Sequence, residues 1–103
     1  MEYYNVIMER KNHPKEGSYT NYLFDKGIDK ILKKCGEECT EMVIAAKNSD
    51  KDELANEIND LLYHMIVMMV DRGVTVEDIE KIMVERSKKI GNLKQFHVSD
   101  HNT

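Results

Sequence analysis

The chain has 103 residues, 41% of them hydrophobic, with 15 Lys and Arg against 19 Asp and Glu, for a net charge of −4. That length suits a single domain, taken here as 1–103, and the apolar fraction excludes a wholly disordered chain. The charge excludes a general electrostatic grip on nucleic acid, so an anionic ligand would need a local basic cluster or a bound cation.

Tyr4, Ile7 and Met8 recur at helical spacing, which predicts a short N-terminal helix. Pro14, the one proline, lies in a polar loop from Lys11 to Ser18. Ser18 is placed to cap a second short helix, which Gly27 ends. From Ile28 to about Lys47, the set Ile28, Ile31, Leu32, Cys35, Cys39, Met42, Val43 and Ala46 recurs every three or four residues, as on one side of an amphipathic helix. Gly36 in its middle costs about 1 kcal/mol relative to Ala, and marks a bend or a close approach to the backbone. Cys35 and Cys39 lie four apart on one face of that helix. No two further ligands stand at zinc spacing, so they read as small buried apolar residues of a reducing compartment.

Asn48, Ser49 and Asp50 form a tight turn, and Asp50 with Glu53 reads as a cap and its partner. The next helix runs to about Arg72 and stops at Gly73. Its second half, Leu61 to Val70, is apolar nearly all round, which predicts a central position and argues for self-association. The methionines of these long helices read as packing. Thr75 caps a last helix, with Asp78 in the reciprocal position. Ile79, Ile82 and Met83 give it an apolar face and Gly91 ends it. The polar tail, about 92–103, is expected to be loose at its end. No stretch alternates like a strand, so the expected class is all-α. The first residues lack the basic start and apolar run of a signal peptide. The longest apolar stretch, Met65 to Val70, is far too short to span a bilayer, so a cytoplasmic protein without membrane contact is expected.

The two long helices flank a turn so short that they must form an antiparallel hairpin. Across such a hairpin, the numbers of facing residues share one total. Glu41 with Glu57 and Glu38 with Asp60 give the same total, whose half falls on Ser49 in the turn. Glu38 and Glu41 share one helix face, as do Glu57 and Asp60, so four carboxylates should meet in two opposed pairs. Two readings stand: a wet acidic face, or a site for a hard divalent cation such as Mg²⁺, which offsets the repulsion and keeps room in its shell for phosphates. Glu37 points about 100° away around the helix, either as a surface residue or as a group that orients or deprotonates a water. Lys30, Lys33, Lys34 and Lys47 are solvated by default. A phosphate clamp is the sharper alternative for Lys34 and Lys47, which lie near the acids. The Glu-x-x-His pattern of di-iron bundles is absent, so His64 reads as a buried or interface histidine.

The pattern Glu37-Glu38-x-x-Glu41 followed by Glu57-x-x-Asp60 resembles the signature of the all-helical nucleotide pyrophosphohydrolases, which include MazG-like proteins and dimeric dUTPases. More narrowly, Ser18-Tyr19-Thr20, Leu23, Gly27, Lys30, Lys34, Gly36-Glu37-Glu38, Ala45-Ala46-Lys47-Asn48 and Asp60-Leu61-Leu62-Tyr63-His64 resemble the phosphoribosyl-ATP pyrophosphohydrolase family. The likeness covers residues 3 to 90. It implies a helical bundle built on the antiparallel two-helix hairpin and completed by dimerisation. The implied reaction is hydrolysis of the α-β phosphoanhydride of phosphoribosyl-ATP to phosphoribosyl-AMP and pyrophosphate, the second step of histidine biosynthesis. The family's metal ligands map onto Glu38, Glu41, Glu57 and Asp60, and its extra acid onto Glu37. Cys35 and Cys39 depart mildly from the small aliphatic residues the family leads one to expect. Some relatives carry a fused cyclohydrolase domain, for which 103 residues leave no room. Two rivals remain: a house-cleaning hydrolase of nucleoside triphosphates, and a helical interaction module docking a partner on its Met-rich helix.

Overall fold

A computed structural model describes residues 2–90. Five helices follow in order: α1 (Glu2–Asn12), α2 (Tyr19–Lys26), α3 (Ile28–Lys47), α4 (Lys51–Arg72) and α5 (Val76–Ile90). No strand occurs among the described residues, and none of their helices is long and apolar enough to cross a membrane. The chain divides into two compact units, one ending at Gly73 and the other beginning at Val74.

In the first unit, short polar and glycine signals set the helix ends. The Ser18 side chain accepts from the Asn21 backbone N–H and starts α2. Gly27 then serves two helices. Its N–H donates to the Leu23 carbonyl at 3.0 Å and its own carbonyl accepts from Ile31 at 3.2 Å, on a backbone of φ 91° that glycine adopts without steric cost. Ser49, at φ 59°, turns the chain back. Asp50 then caps α4, its Oδ1 accepting from the N–H groups of Asp52 and Glu53 at 3.1 Å each.

The core is Ile7 from α1, Leu23 from α2, Ile31 from α3, and Ile66, Val67 and Val70 from α4. At about 1.5–3 kcal/mol for each fully buried aliphatic side chain, these residues are the main cement of the unit. All three of the other helices pack on α4, α3 most extensively. The expectation of a central α4 therefore holds for Ile66, Val67 and Val70. It does not hold all round the helix, because Leu62 and Met65 are exposed, as is Ile58 before them. On α3, Leu32, Val43 and Cys39 are also exposed, and Cys35 is half-buried. The expected burial of Cys39 is thus corrected: within the described part of the first unit it is exposed.

The second unit's described part begins with the predicted reciprocal cap. The Thr75 N–H donates to Asp78 Oδ2 at 2.9 Å, and the Asp78 N–H to Thr75 Oγ1 at 3.0 Å. Helix α5 follows and buries no residue: Ile79, Ile82, Met83, Val84 and Ile90 are all exposed. The expected stop at Gly91 and the polar tail lie outside the described residues.

Candidate active site

The α3–α4 turn is only Asn48, Ser49 and Asp50, so α4 returns along α3. This hairpin brings carboxylate oxygens of Glu38, Glu57 and Asp60 within 4.8 Å of one another, Glu38 and Glu57 half-buried and Asp60 exposed. Three hard oxygen donors so close, without a cation between them, repel. The strain shows at Glu57, whose carboxyl is pushed above its ordinary value by desolvation and by the charges of Asp60, Glu41, Glu38 and Glu53. Glu41 is thus an electrostatic neighbour of the cluster but not one of the three acids in close convergence.

The remaining predicted residues fall in different places. Lys34 Nζ bridges Glu38 at 3.5 Å and Glu37 at 3.6 Å, so among the described residues it is the cation ion-paired to the acidic set. Burial works to lower its pKa, but the Tyr19 phenol and the carboxylates of Glu38 and Glu37 outweigh that and raise it. The ammonium therefore stays charged. Glu37 is half-exposed and ion-pairs with Lys34, which links it to Glu38. Lys47 is exposed on the last turn of α3.

Behind the acids stands an aromatic wall that spacing arguments missed. His64 is 6% exposed and engaged at both ring nitrogens. Its Nδ1 lies 2.8 Å from the Asp60 carbonyl, which can only accept, so this nitrogen carries the proton. In the neutral ring Nε2 then accepts from the Tyr19 hydroxyl at 3.0 Å. Tyr63 stacks on Tyr19 at 6.2 Å and shares a hydrogen bond with buried Thr20. Tyr3 packs its edge on Tyr63 and donates to Asn59 Oδ1 at 2.7 Å. The tyrosines of α1, α2 and α4 thus tie three helices together beside Asp60. Their sequence signal was weak: single tyrosines on separate helices have no common period. The reading of His64 as buried holds, and its ring joins α2 to the segment of α4 that bears Asp60.

Arranged this way, the residues can hold a divalent cation on oxygen donors, meet an anionic phosphate with Lys34, and keep both in place against a packed wall. The chain matches, over residues 1–87, the family model described as phosphoribosyl-ATP pyrophosphohydrolase. It is 59% identical over 93 residues to the phosphoribosyl-ATP pyrophosphatase of Clostridium novyi, which is 90% of this chain and 84% of that one. With the phosphoribosyl-ATP pyrophosphatase of Streptococcus thermophilus it shares 61% identity over 90 residues, 87% of this chain and 86% of the other. A histidine biosynthesis bifunctional protein HisIE of Thermoanaerobacter pseudethanolicus is 64% identical over 78 residues, 76% of this chain and 36% of that protein.

Proposed function

The chain belongs to the phosphoribosyl-ATP pyrophosphohydrolase family, and on that premise we propose how its acidic face performs the reaction. The activity is that of a phosphoribosyl-ATP pyrophosphatase, a step of histidine biosynthesis. The observation that carries the mechanism is the convergence of Glu38, Glu57 and Asp60 within 4.8 Å, with Glu57 resisting ionisation there.

Glu38, Glu57 and Asp60 would hold the cation, with Glu41 adding negative charge beside them and completing the ligand set. An all-carboxylate donor set fits Mg²⁺, which prefers hard oxygen ligands and accepts phosphate oxygens alongside them. When bound, the ion would supply neutralising charge and Lewis-acid polarisation at the triphosphate. The other steps belong to the chain's own residues. Lys34, held by Glu37 and Glu38, would meet the phosphate oxygens and stabilise the charge that develops on the departing pyrophosphate. Lys47 would be a second such cation. Glu37, outside the cluster and half-exposed, would accept the proton of the attacking water. Cleavage would fall between the α and β phosphates and leave phosphoribosyl-AMP.

The working form we infer is a homodimer. Ile58, Leu62 and Met65 make an exposed apolar stripe on α4 at helical spacing, and Leu32 and Val43 are exposed on α3. A second copy is the natural cover for faces this apolar. One domain and a cytoplasmic location complete the reading.

Pyrophosphate release from phosphoribosyl-ATP, measured with Mg²⁺ and with excess EDTA, tests the mechanism. Release that EDTA abolishes and Mg²⁺ restores is expected. Release indifferent to EDTA would overturn the cation's role. Comparable turnover of dCTP or dUTP would shift the reading to a house-cleaning hydrolase.

A further inference from the structure

Phosphoribosyl-ATP shares its triphosphate, ribose and adenine with ATP and differs by the phosphoribosyl group on N1 of the base. The acidic face and Lys34 address only the triphosphate, and ATP would satisfy them equally. A surface that separates the two must lie toward the base.

Helix α2 offers one beside the acids. Lys34, ion-paired to Glu38 at 3.5 Å, also acts electrostatically on the Tyr19 phenol. The Tyr19 ring stacks on that of Tyr22 at 6.0 Å with 22° between planes. Tyr19 and Tyr22 are 45% and 41% exposed, whereas His64 of the same wall is 6% exposed. The two tyrosines line a cavity of about 520 Å³ whose rim carries Lys15, Glu16 and Asp25. That volume is ample for a nucleoside. Lys34 thus couples to Glu38 on one side and to Tyr19 on the other, and Tyr19 in turn lines the cavity.

The chemistry of the base fits the chemistry of this surface. Alkylation at N1 turns adenine into an amidine-like base that holds a proton, and hence a positive charge, at neutral pH. A cation is attracted to the electron-rich face of a tyrosine, whereas neutral adenine gains only ordinary stacking there. The Lys26 ammonium stands 5.8 Å from the Tyr22 centroid and would have to yield this ring to the charged base. Glu16 and Asp25 add negative charge on the rim, and Lys15 a partner for the distal phosphate. Resting on the activity stated above, we infer that Tyr19 and Tyr22 seat the N1-substituted purine and that this seat is where substrate is told from ATP.

The test uses binding, so that it does not depend on turnover. The full chain is titrated calorimetrically, with Mg²⁺ present, with AMP and with 1-methyl-AMP, which carries the cationic base without the second ribose. Wild type should bind 1-methyl-AMP about tenfold more tightly than AMP. Tyr22→Leu should reduce that preference to within about twofold, and Tyr22→Phe, which keeps the ring, should retain it. Equal affinities in wild type, or a preference that survives Tyr22→Leu intact, would overturn the inference and leave these tyrosines as cover for another surface. Turnover separates the two levels. Wild type that releases pyrophosphate from phosphoribosyl-ATP but shows no preference loses the base seat alone. Wild type that releases none loses the functional reading, whatever the titrations give.

Discussion

Helix α4 changes character at Asp60. Up to and including it, Glu57 and Asp60 stand in a crowd of like charge, Asp60 and Ile58 exposed, and Glu57 resists ionisation. After it, Ile66, Val67 and Val70 are at most 4% exposed and hold the core that α1, α2 and α3 pack around. One continuous helix therefore carries a half that costs stability and a half that supplies it. The packed half lets the charged half keep a geometry its own electrostatics oppose. His64 sits at the junction, its ring bonded back to the Asp60 carbonyl and across to Tyr19.

The sharpest way to break this comparison is in the charged half. Glu57→Gln removes a carboxylate from the convergent trio and keeps its shape. Turnover of phosphoribosyl-ATP should fall roughly a hundredfold or more. The thermal midpoint measured in EDTA should stay level or rise, because a repulsion has been removed. A variant that lost both activity and fold would mean that the acids are structural and the division false.

The opposite substitution lies two turns on. Ile66→Ala empties core volume and should cost about 2–5 kcal/mol, read from urea unfolding. Activity per folded molecule should stay close to wild type at a temperature where both are folded. The helix start gives a smaller effect of the same kind. Asp50 accepts two backbone N–H bonds at 3.1 Å, and Asp50→Ala should cost about 1 kcal/mol without altering the metal dependence of turnover.

The same contrast explains what could be read from the sequence. Helix boundaries were legible because Ser18, Gly27, Asp50, Gly73 and Thr75 act locally, through bonds to residues two to four positions away. The acidic convergence was legible because a turn of a few residues leaves one register for the hairpin. What escaped depends on where α1 and α2 land against α4: the Tyr19–His64 bond spans 45 positions and Tyr3–Asn59 spans 56. No period in the chain encodes such pairings. Periodicity also overstated burial. It marks Leu62, Met65 and Cys39 as apolar face without telling whether this chain or another covers them.

The smallest effect distinguishes repulsion from packing most directly, because only repulsion titrates. Glu57 is held above its ordinary value of 4.5, so the folded chain takes up this proton more readily than the unfolded one. Its contribution to stability is then fully present below that value and is lost as pH rises through the raised one. In EDTA, wild type should be less stable than Glu57→Gln at neutral pH, and the gap should close as pH falls toward 4.5. Asp78 behaves in the opposite sense. The backbone and side-chain bonds from Thr75 hold it below its ordinary 3.8, so what it contributes is lost only as pH falls through a still lower value. The two windows do not overlap, and melts at closely spaced pH values can tell them apart. Adding Mg²⁺ should reverse the Glu57 slope, since the cation binds the ionised cluster and that binding weakens as protons compete. A gap between wild type and variant that ignored both pH and Mg²⁺ would show that Glu57 is held by packing, and that the charged half of α4 opposes nothing.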